Sequence, residues 1–331
     1  MLMKNINQLF KEYLKNKVNL DSKITKNAIE CRENLLKNIS EFDNEEGFFD
    51  LHSDFNINFG SFSRKTKCRE LDDIDMMIGI NANGAKYDST DNWDNVKIIA
   101  SKLNQAQIEC TNEDGTLNSR KVLERFKSKL AKVREYSRSE IKRNYEAIVL
   151  NLKTKAWNFD IVPCFQTVVE NDGRNYYLIP NGNGNWKKTD PRRDKNRISD
   201  VNQSHGGKVL NLIRLVKKWN LRNNNIKKIP SYMLETLIIY YFENKKNLNE
   251  QIEINFSEIL GYIWQKISYK IEDMKNIQED INILTEDEKQ EISTRLFKEF
   301  KKTKEAVESN DIEKKVKIWK EVFGEDFPNY E

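Results

Sequence analysis

The hydrophobic period of this chain changes once, and that change limits what it can fold into. Between residues 55 and 180, short apolar or alternating runs recur, bounded by Gly, Asn and Asp. They are FNINFG (55–60), DIDMMIGI (73–80), NYEAIVLNL (144–152), WNFDIVPCF (157–165) and NYYLIP (175–180). Runs of this kind predict strands. Helical patterns at about 92–104 and 119–135 lie between them. The middle of the chain is therefore α+β, with helices on a mixed, mostly antiparallel sheet. NGNGNWKKTDP (181–191) is polar and turn-rich. After it, residues 206–222, 230–244, 254–273, 285–308 and 311–322 carry the helical period, and no strand run recurs. Ahead of the strands, Ile6, Leu9, Phe10, Tyr13, Leu14 and Val18 share a helical face, and Asp21-Ser22 predicts the N-cap of a longer helix through Ser40. Three parts follow: N-terminal helices with a long spine helix (1–45), an α+β core (46–205) and a C-terminal helical lobe (206–331).

Composition narrows the chemistry. Lys+Arg is 56 and Asp+Glu is 52 in 331 residues, a net charge of +4. That excludes a strongly basic nucleic-acid-coating protein, while leaving room for a local basic groove. There are two histidines, His52 and His205, and four scattered cysteines, Cys31, Cys68, Cys110 and Cys164, with no CxxC. A Ser-His-Asp triad, a zinc ribbon and a disulfide framework are all disfavoured, and the cysteines read as reduced thiols of a cytoplasmic protein. No apolar run is long enough to span a membrane, and charges interrupt the N-terminal apolar pattern, unlike a signal peptide. Catalysis, if present, should rest on carboxylates and on metals held by them.

The informative segment is GSFSRKTKCRELDDIDMMIGI (60–80). Gly60-Ser61 follows an apolar strand run. A glycine turn lets the backbone approach a ligand closely, and a helix starting at 62–67 would aim the Ser61 hydroxyl and free N–H groups at one spot suited to phosphate. Asp73 and Asp75 lie two apart on a predicted strand, so both carboxylates face one side. Two convergent carboxylates repel unless a cation lies between them, and Mg²⁺ is the natural one. A lone Asp-x-Asp is more often a solvated turn. Asp160 adds weight, because it sits among Phe159, Ile161 and Val162, where an unpaired carboxylate is costly. It is either paired with an arginine or the third member of a metal site.

Gly-Ser, eleven intervening residues, Asp-Ile-Asp and a later strand Asp together resemble the nucleotidyltransferase fold of the DNA polymerase β superfamily. LIRLVKKWN (212–220) and IPSYMLETLIIYYF (229–242) resemble the corresponding helices of oligoadenylate synthetase and cyclic GMP-AMP synthase. IPNGNGNWKKTDP is similar to the bacterial cGAS/DncV-like nucleotidyltransferases (CD-NTases) of anti-phage signalling (CBASS). The resemblance spans roughly 50–245. It implies a polymerase-β-like catalytic core over 46–205, with a helical lobe closing the nucleotide cleft.

The resemblance further implies that Asp73 and Asp75 ligate two Mg²⁺ ions, with Mn²⁺ as the alternative. Asp160 would ligate the ion that activates the attacking hydroxyl. Gly60 and Ser61 would hold the donor triphosphate, Lys217 and Ser231 would contact its outer phosphates, and Tyr232 would stack on the donor base. Simpler readings stand beside these. Of Lys217 and Lys218, at most one faces a site. Ser231 fits a helix N-cap, with Glu235 near capping-box distance. Tyr232 and Trp219 fit a core, and Arg64, Lys65 and Lys67 fit a surface. The implied activity is Mg-dependent synthesis of a cyclic di- or trinucleotide from NTPs: ATP with another NTP or a second ATP. The implied partners are a downstream cyclic-nucleotide effector and regulatory proteins. The His/Cys insertion of the animal DNA sensor has no counterpart here, so no duplex DNA activator is expected. Alternatives are linear oligonucleotide synthesis, adenylylation of RNA, protein or a small molecule, and a non-catalytic nucleotide-binding module.

Overall fold

The computed structural model describes residues 4–222 and 226–330. In chain order, the chain forms α1 (Ile6–Tyr13), α2 (Ser22–Ser40), β1 (Ile57–Phe59), the single turn α3 (Gly60–Ser63), β2 (Asp73–Gly79), β3 (Lys86–Tyr87), β4 (Ile98–Ile99), α4 (Gln105–Glu109) and α5 (Ser119–Leu130). These are followed by β5 (Glu140–Asn144), β6 (Ala147–Asn151), β7 (Asn158–Gln166), β8 (Tyr177–Pro180), β9 (Trp186–Thr189), α6 (Pro191–Ser204), α7 (Val209–Arg222), α8 (Ser231–Glu243), α9 (Ile252–Lys266), α10 (Glu286–Glu308) and α11 (Ile312–Phe323). They form two compact units. One comprises Ser22–Arg64 and Leu71–Lys195; the other comprises the chain up to Asp21, Lys65–Glu70 and Asn196 onward. The divisions fall at 21/22, 64/65, 70/71 and 195/196.

The first unit is built on a mixed, mostly antiparallel sheet in the order β1-β2-β7-β6-β5, with β8 and β9 continuing from the far end of β7. Among the described residues, only β2 and β7 run parallel. β2 is a central strand. After Asp73 and Asp75 its side chains are buried without alternation, because both faces are covered. One face holds Met77, Val162, Cys164, Tyr177 and Ile179, with Phe55, Ile57 and Phe59 against them. α5 packs on β6, β7 and β8. The Asn118 side chain caps α5 by accepting the N–H groups of Arg120 and Lys121, and Val122, Leu123, Phe126 and Leu130 form its buried stripe.

The second unit is helical. Phe10 of α1 meets Trp319 edge-on at 4.8 Å and Phe327 at 5.1 Å. α9 and α10 approach closely because Gly261 leaves room for the Phe300 ring; a Cβ there would lie 2.9 Å from it. No helix among the described residues is long and apolar enough to cross a membrane.

Three local expectations change. The helix expected at 92–104 is absent. Val96 and Ile98 are buried and Lys97 and Ile99 exposed, a period of two, and the only helix nearby is α4. The helix expected over 254–273 ends at Lys266. Beyond it the Asp273 side chain accepts the N–H groups of Lys275, Ile277 and Gln278, competing with helical pairing. α3 is one turn rather than a helix starting at 62–67. β5, β9 and α6 lie in segments whose sequence shows no periodic pattern.

Candidate active site

In the first unit, the parallel register between β2 and β7 sets Asp75 beside Asp160 and Asp73 beside Asn158. Residues two apart on a strand share a face, and in-register neighbours on adjacent strands lie roughly 5 Å apart. Asp73, Asp75 and Asp160 therefore occupy one face of two adjoining strands. All three are half-buried, in contrast to the fully buried Ile74, Phe159 and Ile161 between them.

β1 pairs with β2 so that Phe59 faces Asp75, which puts the glycine turn against that carboxylate. Gly60 has φ +69°, and a Cβ on it would lie 1.7 Å from Asp75 Oδ2 and 2.9 Å from the Asp75 Cβ. The space a side chain would fill is already taken by the carboxylate. Glycine is needed here for its backbone conformation and for this close approach. Ser61 follows, half-buried, and Ser63 Oγ donates to the Asn58 carbonyl at 2.6 Å, closing the turn.

Three carboxylates on one face make a hard oxygen donor set, the type that Mg²⁺ or Mn²⁺ takes. Among the described residues no three acidic, His or Cys side chains are already gathered into a ligand set, and each aspartate has another contact within the protein. The donor chemistry and shared face fit divalent ions. Binding them would require the carboxylates to turn toward a common point.

Of the basic residues near the turn, Lys65 is exposed, and Arg64 and Lys67 are half-buried. Arg64 pairs with Asp194 at 3.3 Å. Trp186 is a core residue whose Nε1 donates to the Leu117 carbonyl at 2.9 Å.

In the second unit, α7 and α8 carry the remaining candidates. Lys217 is 7% exposed and pairs at 2.6 Å with Glu235 of α8, which is fully buried. Its ammonium is thus engaged inside the helical core, and Glu235 serves that pair instead of a capping box. Lys218 Nζ reaches the Arg69 carbonyl at 3.5 Å. Ser231 is the first residue of α8 and exposed, and Pro230 occupies the cap position with no side-chain cap. Ser231 is therefore not an N-cap. Its hydroxyl and the open N–H groups of the first turn are left for water or an anion. Tyr232 is half-buried, and its hydroxyl donates to Asp273 at 2.5 Å. Trp219 is core, with the Arg295 guanidinium 4.1 Å from its ring centroid.

The structure thus groups Gly60, Ser61, Asp73, Asp75 and Asp160 in one unit, and Lys217, Ser231 and Tyr232 in the other. Sequence reasoning missed Glu235 as the Lys217 partner and Asp273 as the Tyr232 partner. For Glu235 the signal was available: a carboxylate on a helix that is otherwise apolar, MLETLIIYYF, needs a cation. Asp273 carried no such signal.

Comparison with known proteins bears on the family. The Second Messenger Oligonucleotide or Dinucleotide Synthetase domain matches residues 102–202. A probable cyclic nucleotide synthase of Bacillus cereus (strain VD146) is 39% identical over the full length of both chains. Among solved structures, E. coli MS115-1 CdnC with ATP superposes with a TM-score of 0.72 at 16% identity, covering 98% of this chain and 99% of that one. The same protein is also known in a complex with HORMA-deltaN. Vibrio cholerae DncV in its apo form gives a TM-score of 0.73 at 11% identity, covering 98% of this chain and 97% of the other. With a relative this similar along its whole length, the chain belongs to the bacterial cGAS/DncV-like nucleotidyltransferases, the second messenger oligonucleotide or dinucleotide synthetases.

Proposed function

We propose that this enzyme joins NTPs, ATP among them, into a cyclic di- or trinucleotide second messenger in anti-phage signalling. The observation that carries the reading is the set of three aspartates on one face of β2 and β7, with Gly60 packed against Asp75. A ribose hydroxyl attacks the α-phosphorus, the bond to the bridging oxygen breaks, and pyrophosphate leaves with that oxygen. Once two or three nucleotides are joined, one further attack of the same kind, now intramolecular and releasing the last pyrophosphate, closes the ring.

Asp73 and Asp75 would hold two Mg²⁺ ions, with Mn²⁺ as the alternative, and Asp160 would hold the one beside the attacking hydroxyl. When bound, such ions supply positive charge to the reacting oxygens and make the hydroxyl easier to ionise. The protein's own share is placement. The β-sheet register holds the carboxylates side by side, and the Gly60-Ser61 turn offers backbone N–H groups and a hydroxyl to the triphosphate. In the helical unit, Ser231 and the first turn of α8 are suited to phosphate oxygens, and Tyr232 to stacking on a base, worth about 1–3 kcal/mol. Lys217 enters the reading only through its remaining N–H groups, since Glu235 holds one of them. Control by regulatory proteins fits the relative that is known in complex with HORMA-deltaN, and the product would act through a downstream effector.

The test is incubation with labelled NTPs and Mg²⁺. A phosphatase-resistant product that disappears in the Asp73→Ala/Asp75→Ala variant is expected. Exclusively linear, phosphatase-sensitive oligomers would overturn cyclisation. Transfer of AMP to RNA or protein would overturn the substrate class.

A further inference from the structure

The glycine turn and the first aspartate are joined by a segment that is not packed with either. Gly60–Ser63 and β2 lie in the first unit, whereas Lys65–Glu70 between them belongs to the helical unit. The chain leaves the first unit after Arg64 and re-enters it at Leu71. Arg64 alone separates Ser63 from this strap, and Leu71 and Asp72 alone separate the strap from Asp73.

Within the helical unit the strap is anchored at both ends. At its start, the Lys65 carbonyl accepts Nη1 of Arg214, on α7, at 2.6 Å. The same guanidinium donates through Nε to Asn19 Oδ1 at 2.8 Å and through Nη2 to Asn211 Oδ1 at 2.6 Å. Near its end, the Arg69 N–H donates to the Val18 carbonyl at 2.8 Å. The Arg69 side chain donates to the carbonyls of Asn16 and Asn19, both at 3.0 Å. Between the anchors Thr66 and Cys68 are buried, Cys68 as part of the helical core. Asn19 serves both ends: its side chain accepts from Arg214 and its carbonyl from Arg69.

Stability alone is a poor account of Arg214. Its three acceptors are all neutral oxygens, and burial lowers its pKa from the usual arginine value. Burying a charge among neutral groups costs free energy. What the planar fork supplies is geometry, since it fixes one backbone carbonyl against two side chains from other parts of the chain. A segment tied in this way at both ends has few conformations left, so the residues joined to it have less freedom to lose when they are ordered by a ligand.

We propose that Arg214 and Arg69 are positioning residues: by anchoring the strap, they keep the Gly60-Ser61 turn and Asp73 at the spacing that divalent ions and a triphosphate require. This rests on the reading of Asp73, Asp75 and Asp160 as the metal-binding aspartates.

The test uses the full chain. Arg214→Met and Arg69→Met each remove one anchor. Lys315→Met is the control, because it breaks an ion pair of 2.6 Å with Glu253 in the same unit, between α11 and α9. Two readouts are taken below the melting transition of every variant. The first is backbone hydrogen exchange of the protein without nucleotide or metal, over residues 60–64 and 71–75, outside the strap itself. The second is pyrophosphate release at saturating ATP, titrated with Mg²⁺. Each strap variant is expected to exchange about tenfold faster in those flanks, to need about tenfold more Mg²⁺ for half-maximal rate, and to lose about tenfold in kcat. Lys315→Met should stay within about twofold of the wild-type protein in all three. If both strap variants also stay within twofold, the ties only hold the helical unit together and the proposal is overturned. It is equally overturned if Lys315→Met shows the same losses, because the effect would then be general destabilisation. Asp75→Asn tests the reading beneath it. Full activity in that variant would sink the carboxylate reading and the proposal together, whereas an inactive Asp75→Asn beside unaffected strap variants would sink positioning alone.

Discussion

Gly60→Ala is the substitution whose outcome follows most directly from the geometry. The new Cβ would lie 1.7 Å from Asp75 Oδ2, 2.4 Å from Cγ and 2.9 Å from Cβ. Rotating the carboxylate away does not suffice, because the Asp75 Cβ is itself too close. To reach even 3.0 Å, the shortest spacing real Cβ atoms show, the carboxylate oxygen must retreat by more than 1 Å. The backbone adds a second cost. A non-glycine residue at φ +69° loses about 1–2 kcal/mol. Gly84 separates the two effects, since it has φ +88° and a Cβ added to it would meet nothing within 4 Å. Gly84→Ala should lose a similar 1–2 kcal/mol, roughly, in urea unfolding and keep its activity. Gly60→Ala should lose at least that much stability, and its rate should fall by about 100-fold, the usual consequence of displacing a reacting group by 1 Å. Pyrophosphate release under saturating NTP and Mg²⁺, at a temperature where both variants are folded, is the assay. If Gly60→Ala stays within twofold of Gly84→Ala, the placement of Asp75 by the glycine turn does not matter to the reaction.

Other outcomes follow from single features. Lys217→Met leaves Glu235 buried without its cation and should cost about 3–5 kcal/mol, whereas the double variant Lys217→Met/Glu235→Leu should recover much of that, read by urea unfolding. Burial lifts the Tyr13 phenol to about 12. The unfolded chain then loses that proton first, so stability is full below pH 10 and falls between pH 10 and 12; Tyr13→Phe should flatten the decline in unfolding free energy over that window. Burial also raises the Cys110 thiol to about 11 and pushes the Cys164 thiol up further, while Cys31 is half-exposed on α2. A thiol reagent at about pH 8 should therefore label Cys31 rapidly in the native protein, and Cys110 and Cys164 only after unfolding.

Much of this architecture could be read from hydrophobic period alone, and the exceptions have physical causes. β2 and β7 were legible because central strands are almost continuously apolar, and the aspartates within them were conspicuous for the same reason. β5, EIKRN, is a polar edge strand with no apolar signal to read. β9 hides a buried lysine: Lys188 is held inside by Glu170 at 2.8 Å, so WKKT looks solvated in sequence. The 92–104 segment misleads because Val96, Ile98 and Ile99 satisfy helical spacing as well as alternation. At the candidate site, carboxylate spacing is local and survives in sequence. The partners of Lys217 and Tyr232 lie 18 and 41 residues away and become visible only when helices pack.

The central claim is that Asp73, Asp75 and Asp160 act as one metal-binding unit in nucleotidyl transfer. Groups that act as a unit are not additive. The most direct measurement is Mg²⁺-dependent pyrophosphate release by Asp73→Asn, Asp75→Asn, Asp160→Asn and the triple variant, each shown to be folded. The account predicts that every single variant falls to nearly the same floor as the triple. Near-normal turnover in any one of them, or losses that multiply across the three, would contradict it.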